Sequence, residues 1–446
     1  MFLKGSEFSH LVKLAWPVML SQLGHVSVGV ADSIMIGQTG TMPLAASAFA
    51  NSVFVLVLVF GIGVSYGLTP LVAKSDGEQN HSAIQNYFRH GLVVNTVFGL
   101  ALFALLLALW FALPFMKQNS EVLRLASPYF LILSAGILPF MVFMTFKQFA
   151  EGMSDTKTAM AITLSANLLN IFLNYLLIYG KFGLPAMGLM GAGYATLASR
   201  VAMVVAMYLY IVNRKRFAPY RIRNPFQNLN FNTMKRILQI GIPSGLQYIF
   251  EVGAFALAAV IIGSLGPIPL AAHQVAISLA SISYMAASGI AAAVTVRVGQ
   301  ELGRRNSKGV QQVGKAGFLM AGIWMLFSGL VFVLARNWFP QLYTSDPEVI
   351  ALSAHLLVIA VFFQISDGLQ VVGLGALRGI SDVKMPTILA FTAYWVITLP
   401  LAWWWGIELK GGVVGIWWSL AIGLTLAAAA FVWRFMAKTQ QRLPTA

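Results

Sequence analysis

The stretch from Leu92 to Phe115, LVVNTVFGLALFALLLALWFALPF, contains no charged side chain. A helix that crosses the hydrocarbon core of a bilayer needs about 20 mostly apolar residues, and this stretch exceeds that length. It therefore predicts a transmembrane helix. Similar stretches on either side lie near residues 12–36, 44–73, 124–147, 158–180, 188–212, 236–264, 268–296, 312–335, 349–377, 385–406 and 412–433. The sequence predicts an all-α polytopic membrane protein with twelve transmembrane helices.

The overall composition agrees with a membrane protein. Of the 446 residues, 58% are hydrophobic and 10% are charged, and the mean hydropathy is +0.78. In soluble domains roughly a quarter of the residues are charged, so the composition argues against a soluble enzyme. The chain has no cysteine, which excludes disulfides, thiolate zinc sites and cysteine catalysis. HExxH and GxxxxGK[ST] motifs are also absent, which argues against a zinc enzyme and against ATP-driven transport.

The net charge of +15 has a topological explanation. If both termini lie in the cytoplasm, 23 of the 29 Lys and Arg fall in cytoplasmic segments and five on the opposite side. This distribution follows the positive-inside rule. It predicts cytoplasmic termini and a cytoplasmic segment 213–233. Because topology accounts for the positive charge, we expect no nucleic-acid partner.

The second half of the sequence repeats motifs of the first half in the same order. Pro17 aligns with Pro243, Leu44-Ala45-Ala46 with Leu270-Ala271-Ala272, Gly63 with Gly289, and Gly152 to Lys157 with Gly379 to Lys384. Because each half contains an even number of spans, the repeat is parallel, with a pseudo-twofold axis along the membrane normal. We predict two six-helix lobes, 1–212 and 234–446, joined by the linker 213–233. Such symmetry is typical of alternating-access transporters.

The repeated turn Glu151-Gly152-Met153-Ser154-Asp155-Thr156-Lys157 is followed by Asn167-Leu168-Leu169-Asn170 and Tyr179-Gly180-Lys181-Phe182-Gly183. With these motifs the chain resembles the multidrug and toxic compound extrusion (MATE) transporters, particularly the bacterial NorM-type branch, over essentially its whole length. The resemblance implies a non-enzymatic antiporter of a bacterial inner membrane that exports bulky, often cationic amphipathic compounds by alternating access. Coupling would be to Na⁺ or H⁺, and we expect a monomer.

Three acidic residues fall inside predicted spans, namely Asp32, Glu251 and Asp367, whereas the other acids lie in loops or at helix ends. An ionisable group at membrane depth is costly unless it is paired or hydrated, which makes each one a candidate functional residue. A carboxylate supplies negative charge to a hydrophobic cation, and burial favours its neutral form, which makes proton exchange feasible. The alternative is a structural hydrogen bond between helices. The resemblance to the MATE family implies that these three acids carry cation coupling and drug binding.

Polar and aromatic neighbours of these acids form a second rank of candidates. They are Asn170, Asn174, Gln247, Gln364, Gln370, His25 and Phe363. Helical spacing puts Gln247 on the face of Glu251, and Gln364 and Gln370 on that of Asp367, while Asn170 and Asn174 form a pair beside Asp32. Contacts between helices and ordinary packing are the alternatives for all seven.

Carboxylate and amide oxygens suit a hard cation. We therefore expect Na⁺ at Glu251 and Asp367, or at Asp32, Asn170 and Asn174, and favour sodium over protons as the coupling ion, with no other cofactor. The expected partners are hydrophobic cations and the lipid bilayer. A lipid-linked precursor flippase of the same superfamily is the alternative, but that function requires several cavity cations, and only Arg200 lies near the middle of a span. The role of Arg200 is left open.

Overall fold

A computed structural model describes residues 5–116, 118–222 and 224–440, and all regular secondary structure in these ranges is helical. Fifteen α-helices occur in the described chain. They are α1 Gly5–Gly37, α2 Thr41–Ser65, α3 Thr69–Gly77, α4 His81–Ala112, α5 Ser120–Ala135, α6 Ile137–Gly152, α7 Thr156–Tyr179, α8 Leu189–Asn213, α9 Phe231–Gly263, α10 Pro267–Gly303, α11 Ser307–Ala335, α12 Pro347–Gly379, α13 Lys384–Phe391, α14 Leu399–Trp403 and α15 Gly412–Gln440.

Within the described residues, 12 helical segments are long and apolar enough to cross a membrane, which confirms the predicted number of spans. Nine of them contain a single α-helix. The second span combines α2 with α3, and the fourth combines α5 with α6 across Gly136. The eleventh consists of α13 and α14 with two π-helical segments, Thr392–Thr398 and Trp404–Glu408.

The backbone confirms the internal duplication. Gln79 and Arg305 occupy equivalent positions in the two halves, and both adopt a left-handed conformation, with φ of 54° and 57°. The next residue in each half, Asn80 or Asn306, accepts a hydrogen bond from a backbone N–H at the start of α4 or α11 (2.9 and 3.0 Å). An asparagine in this position satisfies a free donor of the first helical turn, so the two halves build the same turn from the same residue.

The repeated Gly-x-Ser-Asp turn has a structural role in each half. Ser154 and Ser381 have φ of 63° and 60°. Asp155 accepts hydrogen bonds from the Thr158 N–H at the start of α7 (3.3 Å) and from the Tyr210 hydroxyl of α8 (2.7 Å). Asp382 instead accepts two bonds from Arg434 of α15 (2.8 and 3.1 Å). The aspartate thus ties the turn to the last helix of its half.

Contacts divide the chain into two compact units. The N-unit is Leu23–Gly245, and the C-unit is Leu246–Ala446 together with Met1–Gln22. The dividing points lie inside α1 and α9, whereas the sequence repeat placed lobe boundaries at 212/213 and 233/234. The first part of α1 thus belongs to the C-unit, and the first part of α9 belongs to the N-unit.

Each unit has its own hydrophobic interior. In the N-unit, α2 packs against α5, α4 against α6, and α7 against α8, and two buried clusters result. In the C-unit, α12 packs against α10, α11 and α15 around one cluster that extends from Leu11 to Phe435. These packed helices hold the polar side chains described next.

Candidate cation-binding sites

The N-unit contains a polar group built from α1 and α7. The Nδ2 of Asn174 donates to Oδ1 of Asp32 at 2.5 Å and to Oδ1 of Asn170 at 3.1 Å. Asn170 in turn approaches Thr196 of α8, with Nδ2 3.4 Å from Oγ1. Both asparagines are buried, and Asp32 is half-buried. The structure therefore brings together the three residues that the sequence grouped.

One oxygen of this group lacks a partner. The Oδ1 of Asn174 is buried and accepts no hydrogen bond within the described part of the chain. A buried unpaired acceptor costs about 1–3 kcal/mol, which a bound cation or water would remove. With the Asp32 carboxylate beside it, the group has oxygens of the kind that bind a hard cation, so the chemistry of Asp32, Asn170 and Asn174 is compatible with such an ion.

His25 lies near cationic side chains, and Arg200 lies against aromatic rings. The charged groups that act on His25 are Lys147 and Arg200, which are both cationic. Arg200 lies over two aromatic rings, 5.1 Å from the centroid of Phe54 and 5.4 Å from that of Phe140. Such cation–π contacts stabilise a desolvated guanidinium. They give a structural account of Arg200, which the sequence left open.

The Arg200 guanidinium also contacts the break between α5 and α6. Its Nη1 lies 3.4 Å from the Leu133 carbonyl oxygen at the end of α5. A Cβ on Gly136 would lie 2.8 Å from this Nη1. The glycine between α5 and α6 therefore leaves room for the guanidinium.

The C-unit brings Glu251 of α9 and Asp367 of α12 into one buried region. The two residues are 6% and 7% exposed. Glu251 accepts hydrogen bonds from Gln370 Nε2, at 3.2 Å, and from the Tyr284 hydroxyl. Gln370 thus bonds the acid on the neighbouring helix, although it shares a helical face with Asp367. The two carboxyl groups lie close enough to interact electrostatically.

Three of the weaker candidates have structural contacts. Gln247 donates to the Val383 carbonyl (3.2 Å) and to Thr387 (3.0 Å), which ties α9 to α13. Gln364 accepts from Ser283 at 2.9 Å. Phe363 is 2% exposed, and its ring centroid lies 5.4 Å from that of Trp417. Phe363 is therefore part of the core of the C-unit.

Sequence reasoning missed several buried polar residues. Tyr284 and Tyr394 both interact with the charges of Glu251 and Asp367, but nothing in the sequence distinguishes them from other tyrosines. Lys147 and Glu151 of α6 form an ion pair at 3.5 Å, with both side chains 4% exposed. Their helical spacing was visible in the sequence. Glu151 does lie at the end of α6, but its burial there was not expected.

The chain also contains a match to a serine-hydrolase motif. The residues Gly63 to Gly67 match the pattern G-x-S-x-G, in which the serine of a hydrolase stands exposed on a strand-to-helix turn. Here Ser65 is fully buried at the end of α2 and donates to the Ile62 carbonyl at 2.6 Å. The geometry is that of helix packing, and it offers no nucleophile.

The sequence is similar to those of known multidrug resistance proteins. The MatE family profile matches residues 17–176 and 243–404, one match in each half. The chain is 33% identical over 427 residues to the multidrug resistance protein NorM of Vibrio parahaemolyticus, covering 95% of this chain and 93% of the relative. It is 34% identical over 445 residues to a probable multidrug resistance protein NorM of Rhodopseudomonas palustris, covering 99% and 94%.

Solved structures give the same fold. A eukaryotic MATE transporter superposes with a TM-score of 0.87 at 20% identity, over 98% of both chains. A MOP superfamily transporter from Pyrococcus furiosus superposes with a TM-score of 0.90 at 22% identity, over 98% of this chain and 97% of the other. These likenesses, the profile matches and the duplicated helical fold lead to one conclusion. The chain belongs to the MatE family of multidrug and toxic compound extrusion transporters, a family of multi-pass membrane proteins that are not enzymes.

Proposed function

We propose that the protein is a cation-coupled multidrug antiporter that exports bulky, often cationic amphipathic compounds by alternating access. The proposal rests on one observation above all. Both acid-containing sites hold buried polar atoms without a partner among the described residues: Asn174 Oδ1 near Asp32, and Gln370 Oε1 and Tyr394 Oη in the region of Glu251 and Asp367. A carboxylate that is surrounded by neutral oxygens without hydrogen-bond partners can bind a cation.

Exchange follows from competition for negative charge. A cationic drug and an inorganic cation both gain from the carboxylates, since an uncompensated charge at membrane depth is costly. When the inorganic ion occupies a site, the drug loses its counter-charge and leaves. Reciprocity of the two affinities is a thermodynamic requirement, so the downhill entry of the ion drives the uphill exit of the drug.

We favour sodium over protons as the coupling ion. A proton needs one carboxylate, whereas a metal cation needs several oxygens, and amides provide oxygens without taking up protons. Asn170 and Asn174 adjoin Asp32, and Gln370 adjoins Glu251. The flippase alternative requires free cationic groups for a pyrophosphate, and Arg200 is engaged by Phe54 and Phe140.

Purified protein in liposomes tests the proposal directly. Efflux of a fluorescent hydrophobic cation is measured with a sodium gradient at fixed pH, and separately with a pH gradient without sodium. We expect transport in the first case. Transport driven by the pH gradient alone would show that protons are the coupling ion, and the protein would still be an antiporter. If efflux responds to neither gradient, cation coupling is wrong.

We further propose a bacterial inner membrane location as a monomer, with both termini and the 213–233 linker in the cytoplasm. The bias of Lys and Arg toward these segments supports this orientation. Reporter fusions at the linker and at the C-terminus test this orientation. Activity of a reporter that works only in the periplasm, at either place, would contradict it. The mass of the protein in nanodiscs tests the monomer.

A further inference from the structure

We propose that the Tyr394 hydroxyl is an oxygen ligand of the coupling cation at Glu251 and Asp367, and that the π-helical segment Thr392–Thr398 aims it there. The inference rests on the proposed cation coupling and adds a residue that selects the ion. Tyr394 is 1% exposed, and its hydroxyl has no hydrogen-bond partner within the described chain. The carboxyl groups that act on it electrostatically are Glu251 and Asp367.

The backbone around Tyr394 is unusual. Residues Thr392–Thr398 form a π-helix between α13 and α14. A π-helical turn contains one residue more than an α-helical turn, so it rotates the side chains on one side of it relative to those on the other, and such turns are frequent at functional sites. Without this turn, Tyr394 would have another direction relative to the rest of the span.

Specific contacts hold the π-helical segment in place. Thr398 Oγ1 donates to the Ala393 carbonyl of the preceding turn, at 2.7 Å. Helix α15 makes room for this hydroxyl, because a Cβ on Gly423 would collide with it. The indole of Trp395 donates to the Phe250 carbonyl at 3.1 Å. Since Phe250 precedes Glu251, this last bond fixes the segment against the part of α9 that carries the acid.

The surrounding atoms suit a metal cation. Gln370 uses its Nε2 for Glu251, its Oε1 has no partner among the described residues, and the residue is fully buried. Two carboxylates, one amide oxygen and one phenol oxygen thus occur in one buried region. The phenol is a neutral oxygen that holds its proton, so it contributes to the binding of a metal cation and little to the binding of a proton. Removal of this hydroxyl should therefore weaken the binding of sodium more than the binding of a proton.

Tyr394→Phe tests the ligand, because it removes one oxygen and keeps the ring. In proteoliposomes we expect the sodium concentration for half-maximal drug efflux to rise about tenfold, the factor that matches the loss of one interaction of hydrogen-bond strength. The maximal rate at saturating sodium should change much less than this half-maximal concentration. Tyr343→Phe, in a residue that is 51% exposed, is the matched control.

A second pair of variants tests the aiming. Thr398→Val removes the hydroxyl that bonds Ala393, whereas Thr398→Ser retains it. We expect Thr398→Val to raise the sodium requirement in the same direction as Tyr394→Phe, and Thr398→Ser to behave like the wild type. The rise in melting temperature caused by added sodium, relative to added potassium, should shrink in Tyr394→Phe and in Thr398→Val, and this readout does not depend on basal stability.

The outcomes separate this inference from the proposed function. If the wild type responds to sodium and Tyr394→Phe has the same sodium requirement and the same sodium-induced stabilisation, the ligand assignment is wrong and cation coupling stands. If the wild type responds to neither sodium nor pH, the proposed function fails first. Equal losses of transport at limiting and at saturating sodium in Tyr394→Phe would also overturn the inference, because they would indicate general damage.

Discussion

Gly63 of α2 and Gly245 of α9 meet backbone to backbone in the N-unit: a Cβ on Gly63 would lie 2.5 Å from Gly245 Cα. The duplication repeats this contact in the C-unit, where a Cβ on Gly289 of α10 would lie 2.7 Å from the backbone nitrogen of Met19 in α1. Gly289 corresponds to Gly63, and Gly245 to Met19, when the two halves of the sequence are aligned. The first part of α1 or α9 therefore packs on the second helix of the other sequence half.

This close approach predicts a strong effect of a single methyl group. Gly63→Ala should lower stability by about 2 kcal/mol, because overpacking of a tight contact costs roughly 1–3 kcal/mol and backbone atoms cannot move aside like side-chain ends. Thermal unfolding of the detergent-purified protein measures the change. Gly322→Ala is the control, since its Cβ would meet nothing within 4 Å. There we expect no loss of stability, because alanine favours a helix interior.

The Asp382–Arg434 pair should contribute to the stability of the C-unit. The two bonds of 2.8 and 3.1 Å join side chains that are 16% and 18% exposed. Asp382→Asn should therefore lower the stability by about 1–3 kcal/mol, the cost of a charged group left without its partner. Glu78→Gln is the matched control, because the Lys74–Glu78 pair is more exposed (23% and 38%) and such pairs contribute little. Equal melting temperatures for the two variants would contradict this ranking.

The asparagine that links Asp32 to Asn170 should matter for ion coupling. Asn174→Leu keeps the approximate volume but removes both the donor to Asp32 and the unpaired Oδ1. We expect sodium-driven efflux to fall at least about tenfold, the effect of losing one or two polar interactions. Asn167→Leu, two turns away on α7, is the control, since its Nδ2 has no partner in the described chain. Similar losses in both variants would indicate a general effect of leucine on α7.

Much of this fold could be predicted because the membrane constrains it. Length and hydropathy alone define a spanning helix, so all twelve spans were visible in the sequence. The Asp32 group was also predictable, because Asn170 and Asn174 are one turn apart on a single helix and therefore share a face. Here the periodicity of the helix carries the information.

Contacts between helices were beyond the reach of such patterns. Gln370 bonds Glu251, a residue 119 positions earlier, and Gln247 bonds α13 instead of joining the acid on its own face. Tyr394 owes its direction to a π-helical turn, which the ordinary period of an α-helix does not describe. The dividing points within α1 and α9 depend on the packing of Gly63 and Gly289, which no local sequence feature specifies.

Asp367 provides the most direct test of charge at the C-unit site. Asp367→Asn preserves the shape of the side chain and removes its negative charge, and the residue is 7% exposed in α12. If cation and drug compete for this charge, the variant should insert and fold normally but lose coupled efflux by at least about a hundredfold, since an ionic interaction in a buried site is worth roughly 3 kcal/mol. Asp346→Asn is the matched control: the same change in an exposed residue that caps α12, where asparagine serves equally well. Efflux from proteoliposomes under a sodium gradient measures both, and wild-type efflux by Asp367→Asn would remove this acid from the mechanism.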